Sequence, residues 1–313
     1  MASAIPVVDF SSHNILNSEN FDETNPEINK LAQEIYDAFT TVGFVHIKNH
    51  GIPESEISEL FKVGEKFFKL SSEEKEKFAR GLTTVNHGYV AAGVEMTDPS
   101  KPTDFKEAFN VTEPFNNELP WPDGECSDFK PTVNSFFRTC GKLSLGILDL
   151  ISLGLKLEDR KLLRRTHRKF GTLESKTTLR LLYYPVMTEL KEGQVRLGEH
   201  GDYGTITLLF QDQTGGLEIL QKEGFVPARP IEGTILVNIG DLLQRWTNDK
   251  LVSTIHRVVV PHEELRRLTA RQSMAFFVHP DNDVIIECLD NSGHYPPITS
   301  LEYLNQRLFA TYL

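Results

Sequence analysis

The sequence predicts a mainly β protein in which a double-sheet jelly roll core is flanked by helices. After Lys176 the chain changes to short β-branched runs divided by glycines and prolines, a texture typical of sandwiches and barrels. Before Lys176, apolar residues recur at helical spacing instead. The polar residues with the clearest chemistry lie on separate runs, and they can meet only if the sheet curls. These observations favour a jelly roll over a flat sheet.

The first 175 residues are predicted to be mostly helical, since apolar residues repeat every three or four positions between capping signals. The apolar faces of Leu31–Phe39 and Ile57–Phe68 predict two helices, with a strand at Phe44–Ile47 between them. Ser71–Glu74 starts a further helix, because a serine cap and early acidic residues favour a helix N-terminus. The apolar stripe of Pro131–Leu155 predicts a long buried helix.

The jelly-roll core is predicted over residues 176–290, and a closing helix within residues 299–313. The core runs are rich in β-branched and aromatic residues and end at turn-forming residues. The predicted strands are Thr178–Tyr184, Thr205–Phe210, Leu217–Leu220, Thr234–Asn238, Ser253–Val260, Gln272–Val278 and Val284–Cys288. The chain shows no internal repeat and no low-complexity linker, so residues 1–313 are expected to form a single domain.

Composition and charge exclude several classes of function. Forty-four acidic residues against 33 basic ones give a formal charge of −11, which argues against nucleic acid or an anionic membrane as a partner. The three cysteines lie far apart, which argues against a disulfide framework or a thiolate zinc site. We find neither a secretory signal nor a run of about 18 apolar residues. We therefore expect a cytoplasmic protein that acts on a small molecule; its oligomeric state is not predicted.

A candidate metal site is formed by His200, Asp202 and, on a later run, His256. Two imidazoles and one carboxylate are the ligand set that holds non-haem Fe(II) on one face and leaves the other face open. In an extended strand, residues i and i+2 point the same way, with Cα atoms about 6.5 Å apart. We therefore expect His200 and Asp202 to open a strand and share one metal ion, while His256 comes from another strand.

A second cluster, Arg271 and Ser273, suggests the co-substrate. Fe(II) needs an electron source to activate dioxygen, and a 2-oxo acid can supply electrons while it chelates the metal. The far carboxylate of such an acid then needs a cation. Arg271 offers a planar fork that stays charged, and Ser273, two residues on, can add a hydroxyl group from the same face. The apolar residues that we expect to line the site and exclude water are Phe210, Leu220, Val258 and Phe277.

These residues resemble the Fe(II)/2-oxoglutarate-dependent dioxygenases of the isopenicillin-N-synthase-like group. The resemblance begins at Ile5–Phe10, passes through Asn49–Ile52 and is densest over Leu179–Phe277. It implies a double-stranded β-helix (jelly roll) and the cofactor Fe(II), with 2-oxoglutarate and O2 as co-substrates and ascorbate as a reductant. The metal ligands that it implies are His200, Asp202 and His256. The residues that it implies for 2-oxoglutarate are Arg271, Ser273 and Tyr184.

Within this group, the closest similarity in motifs is to the fungal thymine 7-hydroxylase-like members. The matching motifs are Leu179–Pro185, Gly198–His200, Asp202–Gly204, Ile206–Asp212 and His256–Val259. Two residues that hold the pyrimidine in that branch have counterparts in Arg180 and Phe277, and Asn86 stands where the branch has an asparagine before Gly-Tyr. A pyrimidine-like heterocycle would stack on Phe277 and accept hydrogen bonds from Arg180 and Asn86.

Two positions depart from the motifs of relatives. Tyr183 stands where the thymine 7-hydroxylases have histidine, and Leu182 stands where plant relatives carry asparagine. The stretch His87–Ala91, with Gly93 and Glu95, also resembles the microbial ethylene-forming enzyme. Arg180 has a counterpart there that serves a different ligand set. The resemblance therefore fixes the chemistry more closely than the substrate.

The leading hypothesis is a dioxygenase that hydroxylates a C–H bond of a small molecule and converts 2-oxoglutarate to succinate and CO2. An oxidative cyclase, a desaturase or an ethylene-forming enzyme could use the same iron site. A non-catalytic metal-binding jelly roll and a metal hydrolase are remoter alternatives, because neither would need Arg271 as an oxo-acid anchor. Dioxygen uptake that depends on both Fe(II) and 2-oxoglutarate separates these classes.

Overall fold

Two stacked β-sheets, with helices on the outside of the larger sheet, make up this computed structural model. The structure describes residues 5–12, 22, 24–81, 86–95, 104–186, 195–260 and 268–312, with side chains of the last helix described as far as Phe309. Residues 1–4 of the predicted single domain and Leu313 of the predicted closing helix lie outside these ranges.

Capping chemistry sets the helix starts. Asn25 caps the first helix by accepting a hydrogen bond from the backbone of Glu27, and Pro26 occupies the first turn, where an N–H would have no helical partner. Ser71 and Glu74 form a reciprocal capping box, which confirms the predicted helix start there. In the described ranges the helices are α1 Pro26–Thr41, α2 Glu54–Phe68, α3 Ser72–Glu76, α4 Phe129–Gly154, α5 Leu162–Arg165, α6 Asp241–Trp246 and α7 Ser300–Tyr312.

The strands of the described chain divide into two main sheets and one short pair. In chain order they are β1 Val7–Asp9, β2 Phe44–Lys48, β3 Gly88–Val90, β4 Glu107–Val111, β5 Thr178–Tyr184, β6 Leu197–His200, β7 Ile206–Gln211, β8 Leu217–Gln221, β9 Gly224–Pro227, β10 Thr234–Ile239, β11 His256–Val258, β12 Arg271–Val278, β13 Ile285–Ile286 and β14 Ile298–Thr299. The larger sheet has the order β1-β2-β10-β7-β12-β5-β4-β3, and the smaller sheet has the order β6-β11-β8-β9. β13 pairs with β14 alone.

From β5 to β12 the chain passes back and forth between the two sheets. β5, β7, β10 and β12 belong to the larger sheet, while β6, β8, β9 and β11 belong to the smaller one. This alternation is the jelly roll that the sequence predicts. It also places strands that are distant in sequence opposite one another across the space between the sheets.

The larger sheet is buried on both faces, so it separates two apolar clusters. Its outer face packs against α1, α2 and α4 through residues such as Phe136, Phe210 and Phe276. Its inner face meets the smaller sheet through a smaller cluster that includes Tyr184 and Val258. Because side chains alternate along a strand, the inner face carries every second residue of each central strand. Polar residues of the candidate site occupy that face.

Several boundaries differ from the sequence predictions. β5 has the predicted bounds, whereas the predicted strand Ser253–Val260 shrinks to His256–Val258. The residues before it are bound elsewhere, because Ser253 N donates to the Gln244 side chain and the Thr254 hydroxyl donates to Val42 O. The helical N-terminal part also adds β1, β3 and β4 to the larger sheet, which apolar spacing alone did not predict. The helices of the described chain are all too short or too polar to cross a membrane.

Four buried histidines make stability depend on pH. Burial lowers the pKa of His46, His87 and His279 from 6.5 to about 4, and that of His167 to about 3. In the unfolded chain these rings would protonate near pH 6.5. Below that pH the unfolded state therefore binds more protons than the folded state, and the free energy of unfolding falls as the pH falls.

We predict that the thermal midpoint of the metal-free protein drops steadily between pH 6.5 and pH 5. Each buried histidine contributes up to about 1.4 kcal/mol per pH unit in this window. Scanning calorimetry across the window should show a shallower slope for His167→Gln and an unchanged slope for the exposed His294→Gln. A midpoint that does not vary with pH in this range would contradict the prediction.

Candidate active site

Two histidines face each other across neighbouring strands of the smaller sheet. His256 on β11 pairs with His200 on β6, and their ring centroids lie 4.3 Å apart. His200 Nδ1 lies 2.9 Å from Gly198 O, and His256 Nδ1 lies 3.1 Å from Thr254 O. Because a carbonyl oxygen only accepts, each Nδ1 carries the proton, and each Nε2 keeps a lone pair for a metal ion.

Asp202 reaches the two histidines from a turn, which corrects the expectation that His200 and Asp202 open one strand. His200 ends β6, and the next residues cross to β7 in the larger sheet. The start of α6 holds this turn, since Asp241 N donates to Asp202 O at 2.7 Å. A Cβ on Gly240 would lie 2.3 Å from Gly204 O, so only glycine permits this approach.

The carboxylate of Asp202 lies between the two imidazoles. Its Oδ1 is 3.9 Å from His200 Nε2 and 3.7 Å from His256 Nε2, and the three ligand atoms all lie within 4.8 Å of one another. Its Oδ2 accepts a hydrogen bond from Asn238 Nδ2 at 2.7 Å. Asp202 is 6% exposed, so its orientation is set by these protein contacts.

Electrostatics give this cluster the protonation states that a metal ion requires. Burial acts to raise the pKa of Asp202, but the two histidines, Asn238 and the Thr207 hydroxyl outweigh it and hold that pKa below its usual value. Burial, followed by the electrostatic interaction with the neighbouring His256, lowers the pKa of His200 to about 4. At neutral pH the cluster offers a carboxylate and a neutral imidazole at His200. This donor set fits Fe(II).

Arg271 begins β12 beside Tyr184, its cross-strand partner on β5. The guanidinium group is 1% exposed; Nη1 donates to Ser273 Oγ at 3.0 Å and Nη2 donates to Gln211 Oε1 at 3.2 Å. Its Nε is buried without a hydrogen-bond partner. Within the described part of the chain no carboxylate forms an ion pair with Arg271. A buried cation without an anion is costly, so this arrangement fits the far carboxylate of a 2-oxo acid.

Phe277 lies next to the metal cluster. It pairs with Thr207 across β7 and β12, and Thr207 in turn donates to Asp202. Phe277 is partly buried against the inner cluster, on the same face of β12 as Arg271 and Ser273. An aromatic ring at this position can stack against a flat ligand near the iron site.

Arg180 and Asn86 lie at the β4 side of the inner face, and each contacts other polar side chains there. Arg180 is ion-paired with Glu95, which also lies 3.4 Å from Lys106 Nζ. Asn86 Oδ1 accepts from Asn110 Nδ2 at 3.1 Å, and Asn110 is the cross-strand neighbour of Arg180. The two predicted donors are therefore held in fixed orientations by the protein. A ligand that binds Arg180 or Asn86 would contact them together with these protein groups.

Only two of the four apolar residues that were expected to line the site lie on the inner face. Val258 and Phe277 belong to the cluster between the sheets, as predicted. Phe210 points to the opposite face of β7, where it packs against Phe136 of α4. Leu220 is 41% exposed. Alternation along the strand explains the error at Phe210, because Thr207 and Leu209 take the inner face and Ile206, Leu208 and Phe210 take the outer one.

Three residues of the site were not predicted from the sequence. Asn238 orients Asp202, Gln211 contacts Arg271, and Arg196 is a second buried arginine near Tyr184. Asn238 did carry a signal, since an amide inside the apolar run Thr234–Ile239 must find a buried partner. Gln211 and Arg196 carried none, because their partners come from other strands.

A jelly roll with this His-Asp-His cluster defines a non-haem iron oxygenase, and comparisons with known proteins agree. A family model described as "2OG-Fe(II) oxygenase superfamily" matches residues 175–280, and one described as "non-haem dioxygenase in morphine synthesis N-terminal" matches residues 5–131. Proline hydroxylase BuaE of Petromyces alliaceus is 34% identical, over 90% of this chain and 93% of that protein. The chain therefore belongs to the 2-oxoglutarate- and Fe(II)-dependent oxygenase superfamily.

Solved structures show the same relationship. The thymine 7-hydroxylase of Neurospora crassa, crystallised with α-ketoglutarate (2-oxoglutarate), is 35% identical with a TM-score of 0.84, covering 97% of this chain and 96% of that one. Two further structures of that enzyme also contain thymine or 5-formyluracil. An oxygenase-family protein of Caulobacter crescentus is 32% identical with a TM-score of 0.81, covering 99% of each chain. This protein is thus a 2-oxoglutarate-dependent dioxygenase.

We predict that Asn238→Ala weakens metal binding by about 10- to 100-fold, because Asp202 loses the donor that fixes its carboxylate. Anaerobic calorimetry with Fe(II), and with redox-inert Mn(II), measures this change. The exposed Asn305→Ala on α7 serves as the matched control. If Asn238→Ala binds both metals as tightly as the parent protein, Asn238 does not orient the ligand.

Proposed function

We propose that His200, Asp202 and His256 hold Fe(II), that Arg271, Ser273 and Tyr184 bind 2-oxoglutarate, and that the enzyme hydroxylates a pyrimidine-like heterocycle. One observation carries the proposal: a buried carboxylate flanked by two Nε2 atoms lies on the same inner face as a buried guanidinium that has no ion-pair partner among the described residues. The first group suits a metal cation and the second suits an organic acid. Together they match the two charged partners of this reaction class.

The bound reactants and the protein side chains would have different roles in the reaction. When bound, Fe(II) would activate O2, which is the oxidant, and 2-oxoglutarate would supply two electrons. One oxygen atom of O2 then enters succinate, the other is inserted into the substrate C–H bond, and CO2 leaves. The protein groups orient and shield these reactants. Arg271 and Ser273 fix the far end of the oxo acid by charge and hydrogen bonding. Val258 and Phe277 keep water away on the inner face.

Support for a pyrimidine-like substrate comes from the inner face and from the relatives. Phe277 offers an aromatic surface beside Thr207 and the metal cluster. Arg180 lies on the neighbouring strand β5, and Asn86 contacts Asn110 of β4. The Neurospora thymine 7-hydroxylase, whose structures contain thymine and 5-formyluracil, covers nearly all of this chain. BuaE, which is named a proline hydroxylase, is similar to this chain to nearly the same degree. A substrate panel must therefore contain proline as well as nucleobases.

We predict that thymine or a uracil derivative stimulates succinate release and gains one oxygen atom, only when Fe(II), 2-oxoglutarate and O2 are all present. Phe277→Leu should raise the KM for that substrate by up to about tenfold, because a stacking contact is worth about 0.5–1.5 kcal/mol. The exposed Phe309→Leu should change nothing. Product mass identifies the substrate. Hydroxylation of proline but of no pyrimidine would overturn the substrate assignment and leave the enzyme class intact.

We predict that Arg271→Gln raises the KM for 2-oxoglutarate by about two to three and a half powers of ten. Loss of one partner of a buried charge pair costs about 3–5 kcal/mol. The KM for the prime substrate should change far less. Arg257→Gln, which removes partly exposed ion pairs with Glu199 and Glu218, is the matched control. Equal increases in both KM values would show that Arg271 supports structure instead.

A further inference from the structure

Arg196 is a second buried arginine close to the proposed co-substrate site. It lies directly before β6, and its backbone N donates to Val258 O of β11 at 2.9 Å. Its guanidinium group lies near the ring of Tyr184, which belongs to the apolar cluster between the two sheets. Its side chain is 0% exposed. Burial of this extent is rare for arginine unless an anion accompanies it.

The guanidinium group of Arg196 has unused hydrogen-bonding capacity. Nη2 donates to Thr269 O at 3.1 Å, whereas Nε and Nη1 are buried without any partner. No carboxylate in the described ranges forms an ion pair with it. Asp212 is the acid that stabilises its charge at longer range, but both oxygens of Asp212 accept from backbone N–H groups, those of Gln272 and Thr214. Arg196 is therefore a buried cation without a counter-ion among the side chains of the described ranges.

Arg196 and Arg271 lie near the same aromatic ring. The guanidinium carbon of Arg196 is 6.0 Å from the centroid of the Tyr184 ring, and that of Arg271 is 4.8 Å from it. Burial, followed by the positive charge of Arg271, lowers the pKa of Arg196. Two buried like charges that repel each other are unfavourable unless an anion is shared between them.

We propose that Arg196 is a second guanidinium of the co-substrate site and that it helps Arg271 hold the far carboxylate of the 2-oxo acid. The inference rests on the proposed assignment of Arg271, Ser273 and Tyr184 to that carboxylate. Its consequence is selectivity for dicarboxylic 2-oxo acids. An acid that lacks the far carboxylate would leave two buried cations without an anion, whereas 2-oxoglutarate supplies one.

The test compares 2-oxoglutarate with 2-oxovalerate, which has the same carbon chain without the far carboxylate. Anaerobic calorimetry on the Fe(II)-loaded protein measures binding without turnover. Arg196→Met should lose about 10- to 100-fold in affinity for 2-oxoglutarate, the range expected for charge-assisted hydrogen bonds, and nothing for 2-oxovalerate. Arg196→Lys, which keeps the charge, should lose less.

The thermal midpoint measured without ligand distinguishes a binding role of Arg196 from a structural one. Because Arg196→Met removes a buried charge that has no counter-ion in the described part of the chain, its thermal midpoint without 2-oxoglutarate should equal or exceed that of the parent. Stabilisation by added 2-oxoglutarate should be smaller than in the parent. A lower ligand-free midpoint together with equal losses for both acids would assign Arg196 a structural role and overturn the inference.

Two control variants distinguish this inference from the proposed function. If Arg271→Gln loses 2-oxoglutarate affinity and Arg196→Met does not, the inference fails and the proposed site stands. If neither variant loses affinity, the proposed co-substrate site itself is wrong. Arg257→Gln should bind both acids as the parent does, since Arg257 pairs with Glu199 and Glu218 away from this cluster.

Discussion

Charge buried between two β-sheets is the constraint on which the rest of this structure depends. The inner face holds the ionised Asp202, two imidazoles and two buried guanidinium groups, beside apolar residues such as Val258 and Phe277. Asp202 is stabilised by Asn238 and Thr207, whereas Arg271 and Arg196 have no anionic partner in the described chain. Such an arrangement costs folding free energy and is retained where ligands complete it.

The jelly roll makes this arrangement possible because the two faces of its larger sheet have different roles. The outer face of the larger sheet packs against α1, α2 and α4 through the main apolar cluster. The inner face then carries polar residues at alternate positions of β5, β7, β10 and β12. Because the chain passes back and forth between the sheets, residues distant in sequence meet at one place, with His200 and His256 as direct cross-strand neighbours.

Period-two patterns and short motifs predicted the fold class and the meeting of the charged side chains. Arg271 and Ser273 share a face, as two-residue spacing requires, and touch at 3.0 Å. The sequence did not predict the residues whose position depends on distant partners. Asp202 lies in a turn that is hydrogen-bonded to the start of α6, and the Arg196 side chain lies near Tyr184 and donates to Thr269 O. Phe210 was assigned to the wrong face because it ends the apolar run Leu208–Phe210, in which apolar character alone does not show which residues face the site.

The most direct measurement is a crystal structure of the protein grown without oxygen in the presence of Fe(II) and 2-oxoglutarate, with the iron located by its anomalous scattering. We expect one iron peak in contact with His200 Nε2, a carboxylate oxygen of Asp202 and His256 Nε2, and the far carboxylate of 2-oxoglutarate on Arg271. An iron peak away from these three atoms, or a carboxylate remote from Arg271, would contradict this expectation.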